Sequence, residues 1–334
     1  MAFTSGATGS SGYPGGNSTP IGGGTAPSSY SGTFIPEIWS GKLVEKFYDA
    51  TVLAAISNTD YEGEIRNQGD TVHIRTRPDI TIADYTPDTE LSIQRPNAPT
   101  LELVIDKAKY FNAVADDIWA TQADMDMMSM WAEDASEQMK VTIDREVLAQ
   151  TFLGGASAQN RGASAGRLSG DINLGVTATP LALTPRTPAS GEVEVIDLIV
   201  NMGQILDEQN IPESGRWLVI PAWMSSMIKR SELRDVSLSG DGTSMARNGR
   251  LGIIDRFTLY MSNLLPAGTD GGVGAGNTAL FAGHSMGCTF ASQLTKMETM
   301  RSERTFGNLM RGLQVYGTEV IKPEALVEAI VTKA

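Results

Sequence analysis

A chain of 334 residues with 26 Lys plus Arg against 39 Asp plus Glu carries a formal net charge of −13, with 41% apolar and 19% charged residues. That balance suits a folded protein of one large or two moderate domains. It argues against nucleic-acid binding by counterion release, which needs clustered Lys and Arg. One cysteine, Cys288, and two histidines, His73 and His284, exclude a disulfide framework, a multi-cysteine metal site and a histidine-rich metal centre. No stretch reaches the roughly 18 consecutive apolar residues of a membrane span. The N-terminus lacks the basic and apolar regions of a signal peptide, so an intracellular chain with no membrane partner is expected.

Residues 1–33 are built from Gly, Ser, Thr and Pro, with no charged residue before Glu37. Such a segment cannot offset its own ordering entropy; it reads as a flexible arm that gains order only across a neighbouring subunit. A first helix is expected over 36–57, where Pro36 suits an early helical position and Ile38, Leu43, Phe47, Leu53 and Ile56 recur at helical spacing. Residues 62–106 change character. Val72 and Ile74 alternate with His73 and Arg75, Leu91-Ser-Ile-Gln and Leu101-Glu-Leu-Val-Ile follow, and Pro78, Pro87, Pro96 and Pro99 punctuate the run. This is the pattern of a long, polar, two-stranded ribbon, which is marginal in water alone and needs support from outside itself.

From 117 to 153, Met125, Met128, Ala132, Ala135, Met139, Ile143 and Val147 follow steps of three and four, with no Gly or Pro until Gly154. They predict a helix of roughly 45 Å at about 1.5 Å per residue. The methionines at 125, 127, 128, 130 and 139 lie too close together to share one face. Some should point outward, where flexible thioethers suit contacts that vary between copies. A second low-complexity stretch, 154–190, leads to a helix near 192–209. Arg216-Trp-Leu-Val-Ile-Pro reads as a strand, Ala222 to Leu233 as a helix, and Gly-rich loops at 238–249 and 267–276 flank a strand around Ile253–Met261. Leu313-Gln-Val-Tyr and Ala325 to Val331 close the chain as strands. The class is α+β, with neither a βαβ repeat nor an internal repeat.

Gly283-His284-Ser285-Met286-Gly287 matches the G-x-S-x-G of a nucleophile elbow. That chemistry needs a histidine base after the serine in chain order. None follows Ser285, and His73 lies far upstream on the ribbon. The motif reads instead as a strand-to-helix turn whose glycines allow close packing. Cys288 has no suitably spaced histidine partner and reads as a buried, inert thiol. The Gly-rich loops match neither the phosphate-cradling nor the dinucleotide pattern, and Asp124-Met-Asp126 lacks the glycine and distal glutamate of a calcium loop. No catalytic, cofactor-binding or metal-binding residue is assigned.

The order of parts resembles the major capsid proteins of tailed bacteriophages with the Hong Kong 97-like fold. Phe34-Ile-Pro-Glu-Ile-Trp-Ser, Asp49-Ala-Thr-Val-Leu, Gly69-Asp-Thr-Val-His-Ile, Arg216-Trp-Leu-Val-Ile-Pro and the run from Arg304-Thr-Phe-Gly to Gly312-Leu-Gln-Val-Tyr-Gly carry the likeness. The resemblance implies a flexible N-terminal arm over 1–33, an N-terminal helix region over 34–61 and an extended E-loop over 62–110. It further implies a peripheral domain with spine helix and connecting loop over 111–190, an axial domain over 191–296, and a return to peripheral strands over 297–334. The implied function is that of a non-enzymatic major capsid protein, located in the virion and assembled in the host cytoplasm. It would self-assemble as hexamers and pentamers into an icosahedral shell that encloses double-stranded DNA without reading its sequence. A portal protein, and separate scaffolding and decoration proteins, are the other implied partners; no cofactor is implied. Some relatives weld subunits through an E-loop lysine; residues 62–106 contain none, so no such cross-link is expected. An encapsulin-like cellular nanocompartment shell resembles the same fold and is the first alternative. A serine hydrolase using Ser285 is the second, from a different class.

Charge gives a sharper expectation. Arg66, Arg75, Arg77 and Arg95 are the ribbon's basic residues, while Asp116, Asp117, Glu133, Asp134 and Glu137 mark the long helix and its approach. The four arginines are expected to meet Glu133, Asp134 and Glu137 of an adjacent subunit, each exposed pair contributing about 0–1 kcal/mol.

Overall fold

The computed structural model describes residues 48–49, 51–60, 71–78, 80–87, 90, 93–117, 127–231, 252–269, 271–303 and 306–334. The expected arm, most of the 36–57 helix, Arg66, Asp124-Met-Asp126 and the 238–249 loop lie outside the described residues. What remains of the first helix is α1 (Leu53–Ile56). Its opening N–H groups are held by a carboxylate from far along the chain: Val52 and Leu53 donate to Asp144 at 3.0 and 2.8 Å. Asp144 is buried, and desolvation pushes its carboxyl pKa up against the two N–H bonds that pull it down.

Strand β1 (Thr71–Arg75) pairs antiparallel with β2 (Thr100–Val104), Val72 opposite Leu103 and Ile74 opposite Leu101. The alternation puts these four side chains on one face, which closes a small core with Ile105, Ala291, Val315 and Ile321. The base of the ribbon is therefore held within the subunit. Beyond it come β3 (Lys107–Asp116), the long helix α2 (Met127–Val147) and a π-helical turn, Leu148–Phe152. Next are β4 (Leu181–Thr184), β5 (Glu192–Glu194), α3 (Val195–Glu208), β6 (Arg216–Ile220) and α4 (Ala222–Arg230). The chain closes with β7 (Ile253–Ile254), β8 (Phe257–Met261), β9 (Asn277–His284), β10 (Cys288–Arg301), β11 (Gly307–Val320) and β12 (Leu326–Lys333).

Two larger sheets result, one of three strands in the order β10-β11-β3 and one of seven in the order β5-β4-β12-β9-β6-β8-β7. Every residue of β6, and every residue of β9 before His284, is buried, as expected of central strands covered on both faces. The sheet ends on strands of three and two residues, too short to template pairing with another chain. Phe152, 1% exposed, carries the end of α2 into this core, with ring centroids 5.8 Å from Trp217 and 5.7 Å from Phe281.

The strands divide differently from the expected boundaries. The three-stranded sheet starts its return at Cys288 rather than 297, and β12 joins the seven-stranded sheet through β9 and β4. The low-complexity stretch 154–190, whose structure composition leaves open, is ordered into the subunit. It supplies β4 and buries Ala156, Ala165, Ile172, Leu174, Leu181 and Leu183 in the main core. Glu208 fixes its outermost turn by accepting N–H bonds from Leu168 at 2.7 Å and Ser169 at 3.2 Å. Desolvation works against ionisation at Glu208, yet these donors and Gln204 hold its pKa down at about 2.

Candidate inter-subunit surface

Between the ends of β1 and β2, the described residues of the connecting stretch 76–99 lie outside the subunit's cores. Thr76 bonds Pro99 O through its N–H at 3.1 Å and its hydroxyl at 2.6 Å. Farther out the Gln94 amide replaces a missing rung, accepting from Thr81 N at 3.1 Å and donating to Thr81 O at 2.6 Å. Prolines remove backbone donors along this stretch, so a side-chain amide does the ladder's work. Ile80, Ile82, Tyr85 and Ile93 are 67%, 92%, 70% and 89% exposed. Large apolar side chains gathered on one projecting segment mark an interaction surface rather than ordinary surface scatter.

Arg75, Arg77 and Arg95 are exposed and form no salt bridge among the described residues. His73 lies across from Glu102, with Nδ1 3.3 Å from the carboxylate. The expected acidic partners are less available than the sequence suggested. Asp134 accepts hydrogen bonds from the Tyr48 hydroxyl and the Gln138 amide, and the Tyr48 hydroxyl pKa is raised to about 12 chiefly by that bond. Glu137 pairs with Lys140 at 2.5 Å, and Asp117 with Arg301. Glu133 is exposed and carries no salt bridge among the described residues. Lys107 and Lys109, at the ribbon's root, both turn to Glu146 of α2, Lys107 at 3.7 Å. Among the described residues of one subunit, Arg75, Arg77 and Arg95 form no salt bridge with Glu133, Asp134 or Glu137, and Arg66 lies outside them.

The helix these acids sit on is only partly packed. Of its described side chains, Ile143, Asp144 and Val147 near the C-terminal end are buried, while Met128, Met130, Ala132, Ala135 and Met139 are half-exposed. Gaps of about 370 and 290 Å³ run beside it, one against Phe111 and Ala113, the other against Met297 and Met310. On the sheet's opposite face Tyr110 and Val114 are exposed. Sequence spacing missed these sheet residues, because Lys107–Asp116 mixes helix-forming Ala and Lys with its aromatics.

The G-x-S-x-G motif is not a strand-to-helix elbow. Residues 285–287 turn directly from β9 into β10, so Ser285 is not raised at the head of a helix as the hydrolase geometry requires. The His284 ring is already engaged: Nε2–H donates to Ser214 O at 3.0 Å and Nδ1 accepts from Met286 N at 3.1 Å, which selects one neutral tautomer. Both glycines are there for close packing, since a Cβ on either would meet Leu326 Cδ2 at 2.9 Å. Cys288 is fully buried, and burial pushes its thiol pKa up to about 12, the inert state expected of it.

A family model described as phage capsid protein matches residues 99–329. No curated protein matches. Among solved structures, one titled Mycobacterium phage Che8 is 24% identical, with 89% of this chain and 97% of that chain covered and a TM-score of 0.70. The capsid structure of the Cyanophage P-SCSP1u is 15% identical over 90% of this chain and 93% of that one, at a TM-score of 0.66. The asymmetric unit of the bacteriophage PhiM1 mature capsid is also 15% identical, covering 90% and 92%, at 0.62. At such identities these structures speak for the fold.

Proposed function

We infer the mode of assembly from one premise: the chain belongs to the phage capsid protein family, and its role is that of a major capsid protein of the Hong Kong 97-like fold, forming the phage shell. It resides in the virion, and its association with itself is what builds the shell. Beyond that premise, we propose an icosahedral shell of hexamers and pentamers, assembled in the host cytoplasm around double-stranded DNA that it encloses without reading its sequence. The subunit acts without enzymatic activity, alongside a portal protein and separate scaffolding and decoration proteins. The ribbon takes the part of the E-loop, the three-stranded sheet with α2 that of the peripheral domain, and the seven-stranded sheet with α3 and α4 that of the axial domain. Arg66, Arg75, Arg77 and Arg95 meet acidic residues of a neighbour's long helix, with Glu133 the most open of the three named acids.

One observation carries this reading: the ribbon holds Ile80, Ile82, Tyr85 and Ile93 outside every core of its own subunit. A two-stranded excursion with an exposed apolar tip is unstable by itself and gains burial when laid on another copy. A closed shell repeats each such contact by symmetry, so modest interfaces give large collective stability. Electron microscopy of the purified protein tests it. Icosahedral particles are expected; a monomer at high concentration with a fully protected ribbon would overturn it.

A further inference from the structure

Among the described residues, the chain passes from one large sheet to the other at three places, and all three meet around the turn that the G-x-S-x-G motif makes. The first crossing follows the π-helical turn, through residues 153–160. The second is residues 285–287, from β9 of the seven-stranded sheet to β10 of the three-stranded sheet. The third is residues 321–325, from β11 back to β12. A single carbonyl, Gly287 O, accepts N–H bonds from Ile321 at 2.8 Å and Lys322 at 3.1 Å, tying the second crossing to the third. The third is tied to the first by Ser157 N donating to Pro323 O at 3.0 Å, and by Asn160 Nδ2 donating to Glu324 O and Leu326 O at 2.8 Å each.

What aims Gly287 O is the turn itself. Gly287 N donates to His284 O at 2.9 Å, and the His284 ring fills the turn's remaining gap by accepting from Met286 N. The same ring reaches back to Ser214 O, anchoring the turn to the loop before β6. Gly283 and Gly287 let Leu326 and the Ala325 carbonyl lie directly against the turn; a Cβ on Gly283 would meet Ala325 O at 2.6 Å.

We propose that the Gly283–Gly287 turn is a clamp that fixes the orientation of the two sheets to each other, with His284 as its positioning residue. The neutral imidazole does this by offering a donor to one sheet's loop and an acceptor to the turn, a pairing that alanine lacks on both sides. Asparagine reproduces the acceptor, as an Asx turn, and glutamine reproduces the longer reach to Ser214. Where the shell reading holds, a looser clamp broadens the distribution of shell diameters.

The test is amide hydrogen exchange on the full-length chain, which does not depend on shell formation. His284→Ala should speed exchange at Met286, Ile321 and Lys322 by about tenfold, the order expected for losing one hydrogen bond, while Leu218 and Val219 of β6 keep theirs. His284→Asn should recover most of the protection at Ile321 and Lys322. If His284→Ala yields no soluble protein, His284→Asn against His284→Gln carries the comparison, with protection expected in the first and lost in the second. Unchanged exchange at 321 and 322 in His284→Ala, or equal losses in the asparagine and glutamine variants, would overturn the clamp. Either result can occur with shells still forming, which leaves the capsid reading intact.

Discussion

Replacing Ile82 and Ile93 together by serine separates folding from assembly. The two side chains are 92% and 89% exposed in the subunit and belong to neither core. Surface changes of this kind alter subunit stability by about 0.5 kcal/mol or less. Burying an isoleucine side chain is worth about 1.5–3 kcal/mol, so a ribbon whose two isoleucines are covered by a neighbour loses about 3–6 kcal/mol per contact in the variant. At about 1.4 kcal/mol per tenfold, the contact weakens by roughly a hundredfold to ten-thousandfold. Thermal melting of the dissociated subunit and shell yield by sedimentation and electron microscopy give the two readouts. The melting temperature should stay within a degree or two while shells fail to form or dissociate at far lower denaturant. Shells of unchanged yield and stability would show that these side chains stay in water in the particle. A variant that melts several degrees lower before assembly would place them in intrachain packing, and either result refutes their burial at a subunit contact.

Charge reversal at Arg75 and Arg77 should likewise spare the fold and lower shell yield, most visibly at low salt, where the charges are least screened; unchanged yield across salt would remove the proposed contact with a neighbour's acidic helix. Phe152→Ala should destabilise the subunit by about 3–5 kcal/mol, read from the urea midpoint, because the ring is 1% exposed and packed between Trp217 and Phe281. The buried carboxyls set a pH signature. Burial raises the pKa of Glu328, opposed by the Gly154 N–H and Arg161, so protonation there favours the fold. Its contribution is complete below the ordinary carboxylate range and is lost as pH rises through the raised value. Glu208 acts in the opposite direction: its contribution is present above the ordinary value and is lost as pH falls towards about 2. Glu328→Gln should therefore melt as high as the parent at pH 5 and higher at pH 8; a lower melting temperature at pH 8 would mean the ionised form is well paired in the fold.

What the sequence made legible was whatever one periodicity settles by itself. The run Arg216–Ile220, the α3 helix and the alternating Val72–Arg75 declare themselves locally, whereas the single strand expected around Ile253–Met261 is broken into β7 and β8 by a turn at Asp255 and Arg256, both at positive φ. Strands β3 and β10 did not declare themselves, because Lys-Ala-Lys-Tyr-Phe-Asn-Ala and Thr-Lys-Met-Glu-Thr-Met carry residues common in helices. Their strand character comes from pairing with β11, a tertiary cause that no local window contains. The 154–190 stretch stayed undecided for a related reason. Glycines at positive φ, such as Gly166 and Gly175, turn it back on itself, and its anchor Glu208 sits forty residues away in sequence.

The same limit explains the acidic helix. Asp134 looked available in sequence because its partner Tyr48 is 86 positions upstream, and Glu137 because nothing in composition announces the Lys140 pair. With those acids already engaged, the weight of assembly shifts from charge to apolar area. An exposed ion pair contributes about 0–1 kcal/mol, whereas each isoleucine at the ribbon tip offers about 1.5–3 kcal/mol on full burial. The arginines are then better suited to choosing where the ribbon lands than to holding it there, since complementary charge governs register and encounter more than affinity. On that division of labour, raising the salt should slow shell formation more than it loosens finished shells, while the isoleucine variants should do the reverse.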